Sequence, residues 1–79
     1  MPTREIVVFT QPGSRPCEAV KLFLKDRKAK FKERCVAYDD DALHELAEKY
    51  NSRSTPTVVI DEEVIVGFDP ERLDQLLEP

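Results

Sequence analysis

Continuous apolar runs along the chain predict the strands of a sheet. Ile6–Phe9 is an unbroken run rich in β-branched residues, the pattern of a strand that is buried on both faces. Thr57–Ile60 and Val64–Val66 are similar, and the short polar segment 61–63 between them predicts an antiparallel hairpin. Phe31–Tyr38 is more polar, so it predicts a fourth strand at an edge of the sheet.

Apolar residues at helical spacing predict three helices. The first runs from about Arg15 to Lys28, with Ser14 as its N-cap and Pro16 in its first turn. The second opens at the carboxylates of residues 39–41, which suit the positive end of a helix dipole, and the third follows Asp69-Pro70. The residues predicted to face the core are Val20, Phe23 and Leu24, then Leu43, Leu46, Ala47 and Tyr50, then Leu73, Leu76 and Leu77.

The resulting order βαβαββα predicts an α/β fold. The first strand, first helix and second strand form a right-handed parallel crossover, and the hairpin completes a four-stranded mixed sheet. Three helices flank this sheet and cover both of its faces. With 79 residues, of which 41% are apolar, we expect residues 1–79 to form a single domain with one thin core.

The formal net charge of -4 is unevenly distributed. Residues 1–38 hold nine basic and four acidic side chains, whereas residues 39–79 hold three basic and twelve acidic ones. The basic segment 21–34 lacks interleaved aromatic residues, so it is interpreted as a solvated helix face and not as a nucleic-acid site. No apolar run reaches about 18 residues, which excludes a membrane span. The N-terminus lacks the apolar core of a signal peptide, so a cytoplasmic location is expected.

Two cysteines and one histidine are too few for a structural zinc site, so no metal is expected. Cys17 falls in the first turn of the first predicted helix, where free N–H groups and the helix dipole favour a thiolate. A small, buried and unreactive side chain is the alternative interpretation. Cys35 lies in the second strand and is interpreted as a strand residue.

Three segments, in order, resemble the glutaredoxin branch of the thioredoxin-like fold. Residues 7–17, V-V-F-T-Q-P-G-S-R-P-C, resemble the strand and the C-x-x-C turn that open the active site of that family. Thr55-Pro56-Thr57 resembles its cis-proline segment, and residues 66–69, V-G-F-D, lie where it has a Gly-Gly-x-Asp glutathione contact. The resemblance covers nearly the whole chain. It implies a monomeric thiol-disulfide oxidoreductase of cell redox metabolism without a bound cofactor.

The resemblance also implies individual roles. Ser14 falls on the position of the attacking cysteine, and Cys17 on that of the resolving cysteine. The Thr55-Pro56 bond is expected to be cis, and the backbone of Thr55 to pair with a peptide or with glutathione. The implied substrate contacts are Gln11, Pro16, Thr55, Pro56, Gly67, Phe68 and Asp69.

The serine at position 14 is a departure from the pattern of the family. A serine cannot form a disulfide, so S-R-P-C in place of C-x-x-C predicts impaired oxidoreductase activity. The serine at position 14 has two alternative origins. It is either an engineered Cys→Ser change or the natural residue of a redox-silent member of the family. In the second case the chain is a binding module that holds a peptide or a thiol ligand in the same groove.

Two further departures concern the reductant. Gln11 stands where the family often has a lysine that contacts glutathione, and the double glycine is reduced to Gly67 followed by Phe68. This Gly-Phe pair resembles the NrdH-type redoxins, which serve ribonucleotide reductase and take electrons from thioredoxin reductase. Glutathione and thioredoxin reductase are therefore both expected as candidate reductants. The expected partner is a disulfide-containing protein or glutathione.

Overall fold

The predicted order of strands and helices is confirmed. The structure is a computed structural model that describes residues 5–77. The elements are β1 (Ile6–Thr10), α1 (Arg15–Asp26), β2 (Lys32–Cys35), α2 (Asp40–Glu48), β3 (Thr57–Ile60), β4 (Glu63–Val66) and α3 (Pro70–Leu77). Within this part of the chain the longest helix has 12 residues, which is too short to span a bilayer.

The four strands form one mixed sheet in the order β2-β1-β3-β4. β1 pairs in parallel with β2 and antiparallel with β3, and β3 and β4 form the predicted hairpin. Because β1 and β2 are parallel, their carboxyl ends lie at the same end of the sheet, where α1 begins. This end of the sheet carries the candidate site.

Helices cover both faces of the sheet, as predicted. The larger apolar cluster packs α1 and α3 against one face, and a smaller cluster packs α2 against the other. The buried members of the first are Ile6, Val8, Val20, Leu24, Val58, Ile60, Ile65 and Leu73. Those of the second are Phe9, Ala42, Leu46 and Val59. β1 contributes to both clusters because its side chains alternate between the two faces.

The prediction that β2 extends over Phe31–Tyr38 was wrong at both ends. The amide of Val36 still donates to the carbonyl of Thr10, at 3.0 Å, but β1 ends there and offers no further partner. The chain then turns, with the amide of Tyr38 bonded to the carbonyl of Cys35, at 3.3 Å. Tyr38 consequently has 83% of its surface exposed.

Other boundaries differ by one or two residues. α1 ends at Asp26 and not at Lys28, because Lys28 adopts a left-handed conformation with φ of 57°. β4 begins at Glu63, so that only residues 61–62 connect the hairpin. Asp61 has φ of 56°, which carries the chain through this tight turn.

The prediction that Leu43 faces the core was also wrong. Leu43 is 45% exposed, whereas its neighbour Ala42 is fully buried beside Leu46. Both residues lie within one helical turn of Leu46, so the apolar spacing admits either of them. The cap at Asp39, whose carboxylate accepts a hydrogen bond from the amide of Ala42 at 3.1 Å, is as predicted.

Candidate active site

The first part of the candidate site is the turn between β1 and α1. Residues 11–13 are exposed, and Gly13 has φ of +74°, a conformation that favours glycine. Ser14 follows in extended conformation and caps α1, because its Oγ accepts a hydrogen bond from the amide of Cys17 at 3.4 Å. Pro16 lies in the first turn, where a helix tolerates a missing N–H group.

Ser14 and Cys17 differ in accessibility. The side chain at position 14 is half-buried, whereas Cys17 is only 1% exposed and faces the interior. A molecule that approaches this end of α1 therefore meets position 14 first, and Cys17 lies behind it. Both Cys17 and Cys35 are free thiols.

The second part is the loop that leads into β3. The Thr55-Pro56 peptide bond is cis, as the resemblance implies, and Pro56 is fully buried. The hydroxyl of Thr55 donates to Oε1 of Gln11 at 3.3 Å. This hydrogen bond connects two residues 44 positions apart, so the structure brings together two of the predicted substrate contacts.

A buried hydroxyl cluster that the sequence analysis missed supports this loop. Oγ of Ser52 and Oγ1 of Thr57 lie 2.9 Å apart, and the Thr57 hydroxyl donates to the carbonyl of Ser54 at 2.6 Å. Ser52 is 5% exposed and Thr57 is fully buried. The only available signal was the concentration of hydroxyl side chains in residues 52–57.

The third part is the segment between β4 and α3. Gly67, with φ of +83°, donates its amide to the carbonyl of Pro56 at 2.7 Å, which places this segment against the second loop. Phe68 packs edge-on against Phe23, with ring centroids 5.8 Å apart, and is still 40% exposed. The carboxylate of Asp69 caps α3 by accepting from the amide of Arg72 at 3.1 Å.

A network of charged groups links α1 to the two parallel strands below it. Oε2 of Glu33 accepts hydrogen bonds from the buried hydroxyl of Thr10 at 2.8 Å and from Nζ of Lys21 at 3.1 Å. Nζ of Lys21 also pairs with Glu18, at 3.1 Å. The hydrogen bond from Thr10, followed by that from Lys21, lowers the pKa of Glu33. The bonds to Glu18 and Glu33 raise the pKa of Lys21. The sequence analysis did not predict this network.

No group of three or more histidine, cysteine, aspartate or glutamate side chains in residues 5–77 is arranged to hold a metal ion. The candidate site consists instead of a helix N-terminus, a cis-proline loop and a glycine turn, connected by the Gln11–Thr55 and Gly67–Pro56 hydrogen bonds. A mixed four-stranded sheet that carries a helix N-terminus, a cis-proline loop and a glycine turn at one end of its strands defines the thioredoxin-like fold of small redox proteins.

Comparison with known proteins identifies the family. The glutaredoxin family model matches residues 6–65. The chain therefore belongs to the glutaredoxin family, whose members are redox proteins. Among curated proteins, it is 34% identical over 74 residues to the gene 56 protein of Mycobacterium phage L5, and the match covers 92% of this chain and 72% of that protein.

Two solved structures show the same fold over most of the chain. The thioredoxin-like protein BC3987 is 50% identical, with a TM-score of 0.89, and the match covers 91% of this chain and 99% of that one. The glutaredoxin-like NrdH-redoxin from Escherichia coli superposes with a TM-score of 0.84, covering 95% of this chain and 96% of that one. At 24% identity, the second comparison supports the fold alone.

Proposed function

We propose that this chain is a glutaredoxin-like thiol-disulfide oxidoreductase in which Ser14 occupies the position of the attacking thiol. The observation that carries the proposal is the arrangement at the start of α1. Ser14 lies in the cap position, more accessible than Cys17, and is hydrogen-bonded to the amide of that residue. A hydroxyl is far less acidic than a thiol and cannot form a disulfide, so turnover in this chain is weak or absent.

With a cysteine at position 14, the reaction would proceed in two exchange steps. The introduced thiolate attacks one sulfur of the substrate disulfide, whose other sulfur leaves as a thiolate and takes a proton from water. Cys17, as a thiolate, then attacks the introduced sulfur of the mixed disulfide and releases the second substrate thiol. The substrate gains two electrons and two protons, and the chain keeps a disulfide between positions 14 and 17.

The reductant completes the cycle by returning two electrons to that disulfide. Two glutathione molecules or the dithiol of thioredoxin reductase can supply them. Gln11 contributes no positive charge to the site, and its side chain is bonded to Thr55, which favours thioredoxin reductase over the anionic glutathione. The proposed substrate is a protein disulfide. Free thiols suit a reducing compartment, so the proposal includes a cytoplasmic location.

The test is the Ser14→Cys variant, assayed with a disulfide substrate and either glutathione or thioredoxin reductase. We expect turnover in the variant and little or none in the original chain. Ser14→Cys combined with Cys17→Ser is the matched control, because it retains the attacking thiol and lacks the resolving one. In the absence of glutathione, whose thiolate could itself resolve the mixed disulfide, it should form a mixed disulfide with the substrate and stop there.

Absence of turnover with both reductants in folded Ser14→Cys protein would refute the proposal. That result would leave the binding module, in which the same groove holds a peptide or thiol ligand without redox chemistry. Alkylation of Cys17 in the original chain is a second measurement that bears on the oxidoreductase and the binding module. Fast, pH-dependent alkylation would count against the binding module, whereas slow alkylation is expected of a thiol as buried as Cys17 in either case.

A further inference from the structure

The solvent-facing side of α1 forms an open groove that begins at position 14. It has a volume of about 430 Å³ and is lined by Gly13, Ser14, Arg15, Glu18, Ala19 and Leu22. Leu22 is 65% exposed although α1 buries Val20 and Leu24 on its opposite side. Ser14 thus belongs both to the candidate active site and to this groove, which we call the α1 groove.

The charges around the α1 groove are not balanced. Nζ of Lys21 is shared between Glu18 and Glu33, at 3.1 Å from each, and Arg27 pairs with Asp74 at 2.7 Å and lies 3.8 Å from the carboxylate of Asp26. Arg15 forms no ion pair with any residue in the range 5–77, and Lys25, which lies beyond the lining of the groove, forms none within 4 Å but is close enough to Glu33 to help lower the pKa of that carboxyl. Arg15 and Lys25 lie on either side of Leu22 along the helix, and α1 carries three basic side chains against two acidic ones, so this side favours a partner with carboxylates.

We propose that the α1 groove binds the polypeptide segment next to the disulfide of an acidic protein substrate. This inference rests on the proposed function, because the substrate disulfide must reach position 14. An apolar side chain of the substrate packs on Ala19 and Leu22, and carboxylates pair with Arg15 and Lys25. The acidic second half of the chain would repel the same segment, which confines it to the α1 side.

The dimensions of the helix fix the spacing of the substrate residues. Leu22 is eight residues beyond Ser14, or about 12 Å along a helix that rises 1.5 Å per residue. An extended peptide covers that distance in three to four residues at about 3.3 Å each. Lys25 is about 16 Å from Ser14 and corresponds to about the fifth residue. The expected substrate therefore has a carboxylate beside its cysteine, an apolar residue at about the fourth position and a second carboxylate next to that.

The probe is a synthetic peptide, Cys-Asp-Ser-Ser-Leu-Asp, whose cysteine is joined in a disulfide to thionitrobenzoate. Attack by the introduced thiolate of Ser14→Cys/Cys17→Ser forms a disulfide with the peptide and releases the coloured thionitrobenzoate anion. The same residues in reverse order test the other chain direction. A reference peptide carries serine in place of both aspartates and the leucine.

We expect the matched peptide, in one of the two directions, to react about fivefold faster than the reference peptide. Leu22→Ser and Arg15→Gln should each bring this rate ratio toward one, and added salt should weaken the contribution of Arg15. Leu43→Ser and Lys49→Gln are the matched controls. They alter an exposed leucine in α2 and an exposed lysine at the end of α2, and should leave the rate ratio unchanged. Equal rates for all peptides would overturn the α1 groove and leave the proposed function intact.

The original chain provides a second test that needs no thiol chemistry. A peptide with serine in place of its cysteine should shift the backbone amide resonances of Ala19 and Leu22 on titration, and Leu22→Ser should weaken its binding. No shift in residues 14–25 at millimolar peptide would overturn the inference, whatever the exchange assay shows. Failure of exchange together with binding at α1 would refute only the proposed function.

Discussion

The contact between Glu33 and the end of β1 gives the most specific stability prediction. Thr10 is 2% exposed and donates its hydroxyl proton to Oε2 of Glu33, at 2.8 Å. Thr10 directly precedes the turn at residues 11–13, so this bond fixes the strand end from which the candidate site begins. Glu33→Ala removes the acceptor and leaves the Thr10 hydroxyl buried without it.

The destabilisation expected for Glu33→Ala is the sum of a lost hydrogen bond and a lost ion pair. A hydrogen bond to a charged group contributes about 1.5–3 kcal/mol, and an exposed ion pair about 0.2–1 kcal/mol. The side chain of Glu33 is 40% exposed, so solvent screening favours the lower end of both ranges. Glu33→Ala should therefore lower the free energy of unfolding by about 2 kcal/mol, or Tm by about 10 °C for a domain of this size.

The assay is urea unfolding of three variants. Glu33→Gln retains an oxygen acceptor for Thr10 and loses only the charge, so it should lose about 0.5–1 kcal/mol. Glu62→Ala, in the exposed hairpin turn, is the control and should stay within about 0.5 kcal/mol of the original chain. If Glu33→Ala were no more destabilising than Glu62→Ala, Glu33 would not support the strand end.

The pKa shifts of Glu33 and Lys21 determine how the free energy of unfolding changes with pH. The pKa of Glu33 is lowered on folding, first by the hydrogen bond from Thr10, so its stabilisation is present above the unfolded value of about 4.3 and is lost as pH falls through the folded pKa. The pKa of Lys21 is raised, so its contribution is present below about 10.4 and is lost as pH rises through the folded pKa. Glu33→Gln should flatten the acid limb of the stability curve. An unchanged acid limb would contradict this assignment.

Three further substitutions test the local structure by urea unfolding. Ser14→Ala removes the cap of α1 and should lower the free energy of unfolding by about 1 kcal/mol, and an unchanged value would show that the cap is not stabilising. Leu73→Ala opens a cavity between α3 and the sheet and should lower it by about 2–5 kcal/mol, whereas exposed Leu43→Ala should cost much less. Gly67→Ala should lower it by about 1–2 kcal/mol through backbone strain alone, since nothing lies within 4 Å of the added methyl group; no loss would contradict the φ of +83°.

The fold was largely predictable because its elements have clear local signals. The continuous apolar run of β1 and the caps at Ser14 and Asp39 are short-range features, and they identify strands and helices in order. The rotation of α2 was not predictable in this way. Ala42 and Leu43 both fit the spacing to Leu46, and only packing against the sheet selects the smaller residue.

The connections within the candidate site depend on sheet register and not on local pattern. Glu33 lies 23 residues from Thr10, and Thr55 lies 44 residues from Gln11. No feature of residues 32–35 distinguishes Glu33 from an ordinary exposed charge on an edge strand. The parallel register of β1 with β2 places Glu33 opposite Val8, two residues before Thr10, and from there its carboxylate accepts the Thr10 hydroxyl.

Position 14 combines two requirements that favour different side chains. As the cap of α1, it must accept a hydrogen bond from the amide of Cys17, which a serine hydroxyl does well and a thiol does weakly. As the first group that a disulfide meets, it must be a thiolate, which serine cannot supply because its side chain has no sulfur. Ser14→Cys should therefore gain exchange activity while losing part of the stability that Ser14→Ala loses. If instead the variant were both active and more stable, the cap would not be what the hydroxyl contributes, and the serine would have no structural advantage over the thiol.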